Sequence, residues 1–357
     1  MSEDYIQNEP VATAEGCLKI LQTVSNKESF LILSCHGSEG MQPDTRHRQT
    51  NPTAEVMCCR FSDDGTLFAA GLSNGQIKVY KADFSTCLYS LSDKDTESLP
   101  LPCTTVQFRP NSNSRAGYHL LATYASGFVK VWHVTSSQCL SSVKEPRQVL
   151  CASYTYDGSL YATAGSDMEI YVYDCSTKQK AHTCEASYSK ISMDGHVYRI
   201  FSLQFKNNDR STFLSGGWDN TIQFWDLREK HSVRYIYGPH LCGDSLRIDS
   251  SNKKILTGSW RKDKALQIWD YNTGGLLLDV EPDNYPCQLY CANWLGNDCI
   301  LAAGNNRNMA RVIHRTSMQT TGRVLNMPGG IYTSDIDPNG TIALSSKRNI
   351  YRVEKSK

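Results

Sequence analysis

Fourteen cysteines and nine histidines are the groups in this chain best suited to hold a metal or act as nucleophiles. The nearest approach to a ligand spacing is Cys287-x₃-Cys291-x₇-Cys299. Structural zinc sites use two closely spaced ligand pairs, and no second pair accompanies these three. They fall on or beside consecutive strand-like runs, as Cys58, Cys59 and Cys151 do elsewhere, and packing as small apolar side chains accounts for them. The histidines are dispersed, with His36 and His47 flanking a loop. No Gly-x-Gly-x-x-Gly, Gly-x-x-x-x-Gly-Lys-Ser/Thr or His-Glu-x-x-His occurs. The expectation is a chain that is not an enzyme and has no cofactor, metal or catalytic residues.

The bulk numbers narrow the class further. Thirty-seven basic and 36 acidic residues leave a formal charge of +1. This balance disfavours a nucleic-acid binder, although a local patch is compatible with it. The start, Met1-Ser2-Glu3-Asp4-Tyr5, is polar and acidic, unlike a signal peptide, and no apolar run is long enough to span a bilayer. A cytoplasmic or nuclear protein without membrane insertion is expected, with its cysteines reduced.

What positions these residues is a repeat. Ile77-Lys78-Val79-Tyr80, Val129-Lys130-Val131-Trp132, Ile170-Tyr171-Val172-Tyr173, Ile222-Gln223-Phe224-Trp225 and Leu266-Gln267-Ile268-Trp269 share an apolar–x–apolar–aromatic pattern. That alternation suits a strand with one buried face. A sixth copy is Ala310-Arg311-Val312-Ile313, and a weaker seventh lies around Asn349 to Val353. Small-residue strand ends precede the quartets, for example Ala69-Ala70-Gly71 and Leu214-Ser215-Gly216. Further upstream another strand ends at Phe61, Phe108, Tyr154, Phe205, Ile248, Trp294 or Ile336, followed by a polar turn. A less regular first strand comes from the preceding linker, as in residues 138–143 or 233–237. Sheets of about 45 residues cannot cover their own faces, and stacking them radially buries both. A parallel solenoid would need rungs of about 20–30 residues.

The chain therefore resembles the WD-repeat family over roughly residues 56–354. The implied fold is all-β: a single seven-bladed WD-repeat β-propeller with four-stranded antiparallel blades. The fourth unit is most similar to the family pattern, with Gly195-His196, Ser202, Asp209 and Trp225-Asp226. The resemblance implies a hydrogen-bonded tetrad of His196, Ser202, Asp209 and Trp225, with Asp209 one residue late. The fifth unit keeps His240 and Trp269-Asp270; the others depart further and are expected to rely on apolar packing alone. Residues 1–27 are expected as an N-terminal extension, a short helix or strand, ahead of a propeller over 28–357. Phe30 to Ser34 reads as the first strand of blade one, and residues 37–53 as a long loop.

The family resemblance implies a non-enzymatic protein–protein interaction scaffold or adaptor, with partner proteins on its rims. Two surface sets stand out. Residues 213–228 are similar to the Trp-Asp-x-Arg box of cullin–RING ligase substrate receptors, which would make Arg228 the contact to a ligase adaptor. The alternative is a well-kept repeat end. The second set is Arg261, Lys262, Lys264, Arg307, Lys347 and Arg348, in equivalent short turns that should share one rim and suit an acidic partner. Trp218 and Trp260 flank the same turns and are candidate anchors, or pack on the next blade.

Overall fold

The computed structural model describes residues 12–25, 54–110, 117–187 and 192–355. Seven antiparallel sheets stand around a central channel. Blade one orders its strands Val56–Phe61, Leu67–Leu72, Ile77–Lys81 and Cys87–Leu91 from the channel outward. Blades two to five repeat that order over 103–144, 149–184, 200–237 and 246–279. Blade six spans 288–325, and blade seven takes its three inner strands from 331–355. One helix is present among the described residues, Lys94–Ser98, capped by Asp93 between blades one and two.

Buried apolar side chains gather into seven clusters, one at each interface between neighbouring blades. The core is thus a ring of wedges rather than one centre, which is why a repeated strand pattern suffices to specify it. The small strand ends permit the close approach. A Cβ on Gly71 would come within 2.7 Å of Cys103 Sγ in the next blade, and one on Gly258 within 3.1 Å of the Ala292 Cβ in the next.

Repeats and blades are out of phase. The linker strand expected to begin each unit instead forms the outer edge of the preceding blade, as Gln138–Lys144 does for blade two. Each unit therefore lends one strand backwards, and the first unit must lend its strand to the last blade. Leu18–Ser25 does so, pairing antiparallel with Asn349–Lys355 from Leu18↔Lys355 to Ser25↔Asn349. Thr13–Gly16 goes further and adds a fifth strand to blade six against Thr320–Leu325. Residues 13–25 are thus strand, not helix, and sit inside the ring rather than ahead of it. Leu18 is buried in the core between blades six and seven, so its side chain selects the strand. Residues 30–34 and 37–53 lie outside the described residues.

A second closure runs along the channel. A polar residue stands near the end of every innermost strand: Arg60, Gln107, Ser153, Gln204, Arg247 and Asp335 next to last, and Asn293 one place earlier. Gln107 Oε1 accepts the Tyr154 amide of the next blade (3.1 Å), and Gln204 Oε1 accepts that of Ile248 (2.7 Å). Arg247 Nε donates to Asn293 Oδ1 (2.7 Å), and Asn293 Nδ2 donates to the Ser334 carbonyl (3.2 Å). Asp335 Oδ2 accepts the Phe61 amide at 2.7 Å, joining blade seven to blade one. Arg60 instead reaches Asp244, which also holds Arg247 through two bonds of 2.6 and 2.5 Å. Gln107, Gln204 and Asp335 thereby satisfy backbone amides of the next blade.

The borrowed strand can be tested directly. Deleting residues 1–25 removes Leu18 and the flanking Ile20 and Val24 contacts, and should cost about 3–5 kcal/mol at ~1.5–3 kcal/mol per buried aliphatic side chain. Urea unfolding measures the loss. Recovery on adding a peptide of residues 12–27 in trans distinguishes ring closure from general damage.

Candidate functional site

Blade four shows how a connection between blades is locked. His196 lies in the connection entering the blade and is fully buried. Its Nδ1 meets Asp219 Oδ2 at 2.7 Å, and its Nε2 meets the Ser215 hydroxyl at 2.6 Å. Trp225 Nε1 donates to the same hydroxyl at 2.7 Å. Asp219 also accepts the Val197 amide (3.1 Å) and the Thr221 hydroxyl (2.8 Å). Burial pushes the Asp219 carboxyl up, but the bonds from His196, Thr221 and Val197 outweigh it and hold it below its ordinary value.

The tetrad is therefore Asp219–His196–Ser215–Trp225. His196 and Trp225 stand as expected, whereas Ser202 and Asp209 do not join them. The Ser202 hydroxyl is buried on the innermost strand without a hydrogen-bond partner. Asp209 caps its own turn, accepting the Ser211 amide (2.8 Å) and the Thr212 hydroxyl (2.7 Å). Strand register would have separated the pairs. Ser215 lies on the strand hydrogen-bonded directly to the one carrying Trp225, and Asp219 lies in the turn joining those two strands.

The family model described as WD domain, G-beta repeat, matches residues 45–81, 137–174 and 187–226. With seven blades closed in a ring and the tetrad in blade four, that match settles the family. The chain belongs to the WD-repeat β-propeller family. Among curated relatives, a Drosophila sechellia protein named "Ribosome biogenesis protein WDR12 homolog" is 27% identical over 201 residues, covering 55% of this chain and 46% of that protein. Its Drosophila yakuba counterpart is 26% identical over the same shares. "Protein tipD" of Dictyostelium discoideum is 24% identical over 147 residues, covering 41% of this chain and 22% of that protein. The chain thus spans less than half the length of these relatives.

Blades lacking the WD dipeptide do not depend on apolar packing alone. In this WD-repeat propeller the second residue of the quartet, expected on an exposed face, is buried in blades two to six. In blades two, three, four and six it contacts the connection entering its own blade. Lys130, at 0% exposure, holds Asp93 and Asp95 at 2.6 Å each. Arg147 stacks 3.9 Å above the Tyr171 ring. Gln223 Nε2 donates to the Gly195 carbonyl (3.2 Å), and Arg311 holds Asp283 (2.9 Å). In blade five Gln267 bonds Asp279 (2.6 Å), while Trp269 Nε1 donates to Thr257 (3.0 Å). His240 there turns to Asn220 Oδ1 (2.9 Å) instead of completing a tetrad.

The cysteines do not converge. Cys287 Sγ lies 3.1 Å from the Asn305 carbonyl, Cys291 faces the opposite interface, and Cys299 is contacted by Lys355 Nζ at 3.1 Å. Burial pushes the Cys291 thiol up to about 11, unsuited to a thiolate ligand. Among the described residues no group of three or more His, Cys, Asp or Glu is placed to hold a metal ion. Gly71-Leu72-Ser73-Asn74-Gly75 has the spacing of a nucleophile elbow, but it enters a strand-to-strand turn. Its Ser73 hydroxyl accepts the Glu55 amide at 2.9 Å.

The remaining candidates divide between two faces. Arg228 follows the third strand of blade four, on the lower face. Its side chain is 76% exposed, but Nε and Nη2 both engage Asp226, at 2.9 and 2.5 Å. The fork thus caps its own turn. The cationic set lies on the upper face, in turns between second and third strands of blades five to seven. Lys262, Arg307, Lys347 and Arg348 are exposed there, with Arg307 lying 4.9 Å from the Tyr285 ring. Arg261 is tied to the Gly238 carbonyl (3.0 Å) and Gln267 (3.0 Å), so it braces the rim. Lys264 approaches Asp279 at 3.9 Å.

Aromatic side chains run along the inner margin of that rim. Trp218 stacks between Phe201 (5.2 Å) and His240 (6.4 Å), and its Nε1 donates to Cys242 Sγ at 3.0 Å. Trp260 lies 6.4 Å from Tyr290, which lies 5.1 Å from Tyr332. Trp218, Trp260 and Tyr332 are nonetheless exposed at their edges. Phe201, Tyr290 and Tyr332, with Met57 and Cys242, line a cavity of about 290 Å³ at the upper channel mouth. Tyr124, at the end of the second strand of blade two, is by contrast buried.

Proposed function

We propose that this chain is a non-catalytic protein-interaction scaffold that docks partners on the upper rim of blades four to seven. The observation that carries the reading is the coincidence on one face of exposed cations, braced tryptophans and an apolar channel mouth. An aromatic anchor beside the mouth supplies contact area at low entropic cost, and the cations favour an acidic flank on the partner segment. The names of the Drosophila relatives suggest work in ribosome biogenesis, in a nuclear or cytoplasmic setting. No helix among the described residues is long and apolar enough to cross a membrane. The ligase-adaptor alternative has no geometric support, because Arg228 is engaged by Asp226.

Affinity purification with amine-directed crosslinking mass spectrometry tests the reading. Partner crosslinks should map to Lys262, Lys264 and Lys347. Crosslinks confined to lower-face lysines such as Lys206 and Lys254 would sink it. The double reversal Lys347→Glu, Arg348→Glu should weaken partner retention about tenfold, in a manner that fades with added salt. The fold should be unaffected, because both side chains are exposed.

A further inference from the structure

The outermost strand of blade four, Arg234–Tyr237, pairs on its inner side with Thr221–Asp226 and ends its sheet. A strand edge of this kind is a template for another strand, and folds commonly blunt it with charge. Lys144, Lys180 and Lys19 are exposed on the outer strands of blades two, three and seven. Blade six is blunted by the added strand Thr13–Gly16. An outer edge of this ring therefore does accept a fifth strand.

Blade four has neither device. Val233, Tyr235 and Tyr237 are 54%, 48% and 66% exposed along one face of the edge. Its charged residue, Arg234, is turned to the other face. There its guanidinium lies 3.7 Å from the Phe224 ring and donates to the carbonyls of Tyr271 and Asn272. The connection entering the blade runs alongside the apolar face. The Asp194 carbonyl accepts the Ser232 amide (2.9 Å), the Gly195 carbonyl accepts Gln223 Nε2, and the Val197 amide reaches Asp219. Exposed Val197 and Tyr198 prolong the apolar surface, on a connection held rigid through His196. This surface is separate from the upper rim and does not rest on its proposed role.

We infer that this edge pairs with the same edge of a second copy of the chain. The apolar positions are symmetric about Tyr235. Antiparallel pairing about a two-fold axis there sets Tyr235 opposite Tyr235 and Val233 opposite Tyr237. Each pair is aromatic or aromatic with β-branched, the combinations that stabilise cross-strand neighbours, and no like charges meet along the edge. The same patch serves both partners, so the contact closes as a dimer rather than growing into a fibre. Its modest area places it among weak interfaces, with a Kd on the order of 10–100 μM.

Sedimentation velocity of the full chain from about 1 to 200 μM, spanning that Kd, tests the inference. A dimer whose fraction rises with concentration is expected. Tyr235→Lys, which places two like charges at the dyad, should weaken it at least tenfold. Leu276→Lys on the outer strand of blade five should leave it unchanged. Tyr237→Lys is the second variant should Tyr235→Lys alter the circular dichroism melt. A monomer at every concentration overturns the inference, as does a dimer indifferent to both tyrosine substitutions. Occupation of the edge by a different protein while the chain stays monomeric overturns it too.

Discussion

Asp219→Ala should lower stability by about 2–4 kcal/mol, whereas Asp209→Ala should cost about 1 kcal/mol and Ser202→Ala close to nothing. The ordering follows from what each side chain leaves behind. Without Asp219, the buried His196 ring, the Val197 amide and the Thr221 hydroxyl all lose their acceptor. Without Asp209, only a half-buried turn loses its cap. Ser202 already has no partner to lose. Urea unfolding of the three variants reads the order, and equal losses at Asp209 and Asp219 would contradict the tetrad as drawn. The pH dependence has a definite sign. The folded pKa of Asp219 lies below its unfolded value of about 3.9, so its contribution is present above that value. It is lost as the pH falls through the folded pKa, and Asp219→Asn should flatten that part of the acid-unfolding curve.

The tetrad also shows where sequence reading succeeds. Period and alternation report burial that recurs every blade, so the blade count, the order of the three inner strands and the small residues at blade contacts were all legible. His196 and Trp225 were legible too, because their dipeptides are distinctive. Ser215 and Asp219 were not, although both lie in the quoted stretch 213–228. Choosing between Ser202 and Ser215 requires knowing which strand lies beside that of Trp225, and register is a property of pairing rather than of spacing. The ring closure escaped for a related reason. A unit that lends its first strand backwards has the same local pattern as one that keeps it, and the two differ only in long-range pairing. Leu18–Ser25 consequently read as helix or strand when taken alone, and only its partner Asn349–Lys355 decides. The channel belt was hidden because its seven positions are filled by five different polar residue types.

Glu145 in blade three is the second residue whose loss should have a large effect. Glu145 occupies the connection entering its blade, as His196 does in blade four. Its Oε1 accepts the Thr163 hydroxyl at 2.7 Å and the Tyr173 hydroxyl at 3.0 Å. Its Oε2 accepts Arg147 Nε at 2.6 Å, and Arg147 reaches the turn residue Asp167 at 2.5 Å. Thr163 and Tyr173 hold the strand positions of Ser215 and Trp225, and Asp167 lies in the turn corresponding to that of Asp219. Blade three therefore builds the tetrad's connections from a glutamate–arginine pair in place of one histidine. Removing one member of a buried ion pair costs about 3–5 kcal/mol, because the survivor stays buried with its charge uncompensated. Asp167 remains beside Arg147, so Glu145→Ala should fall at the lower end, near 3 kcal/mol. Glu145→Gln, which keeps an acceptor for both hydroxyls, should cost about half as much. A double-mutant cycle of Glu145→Gln with Arg147→Met should give a coupling energy above about 1 kcal/mol. Additive losses would mean that the two residues act separately, and that blade three is held by its apolar contacts after all.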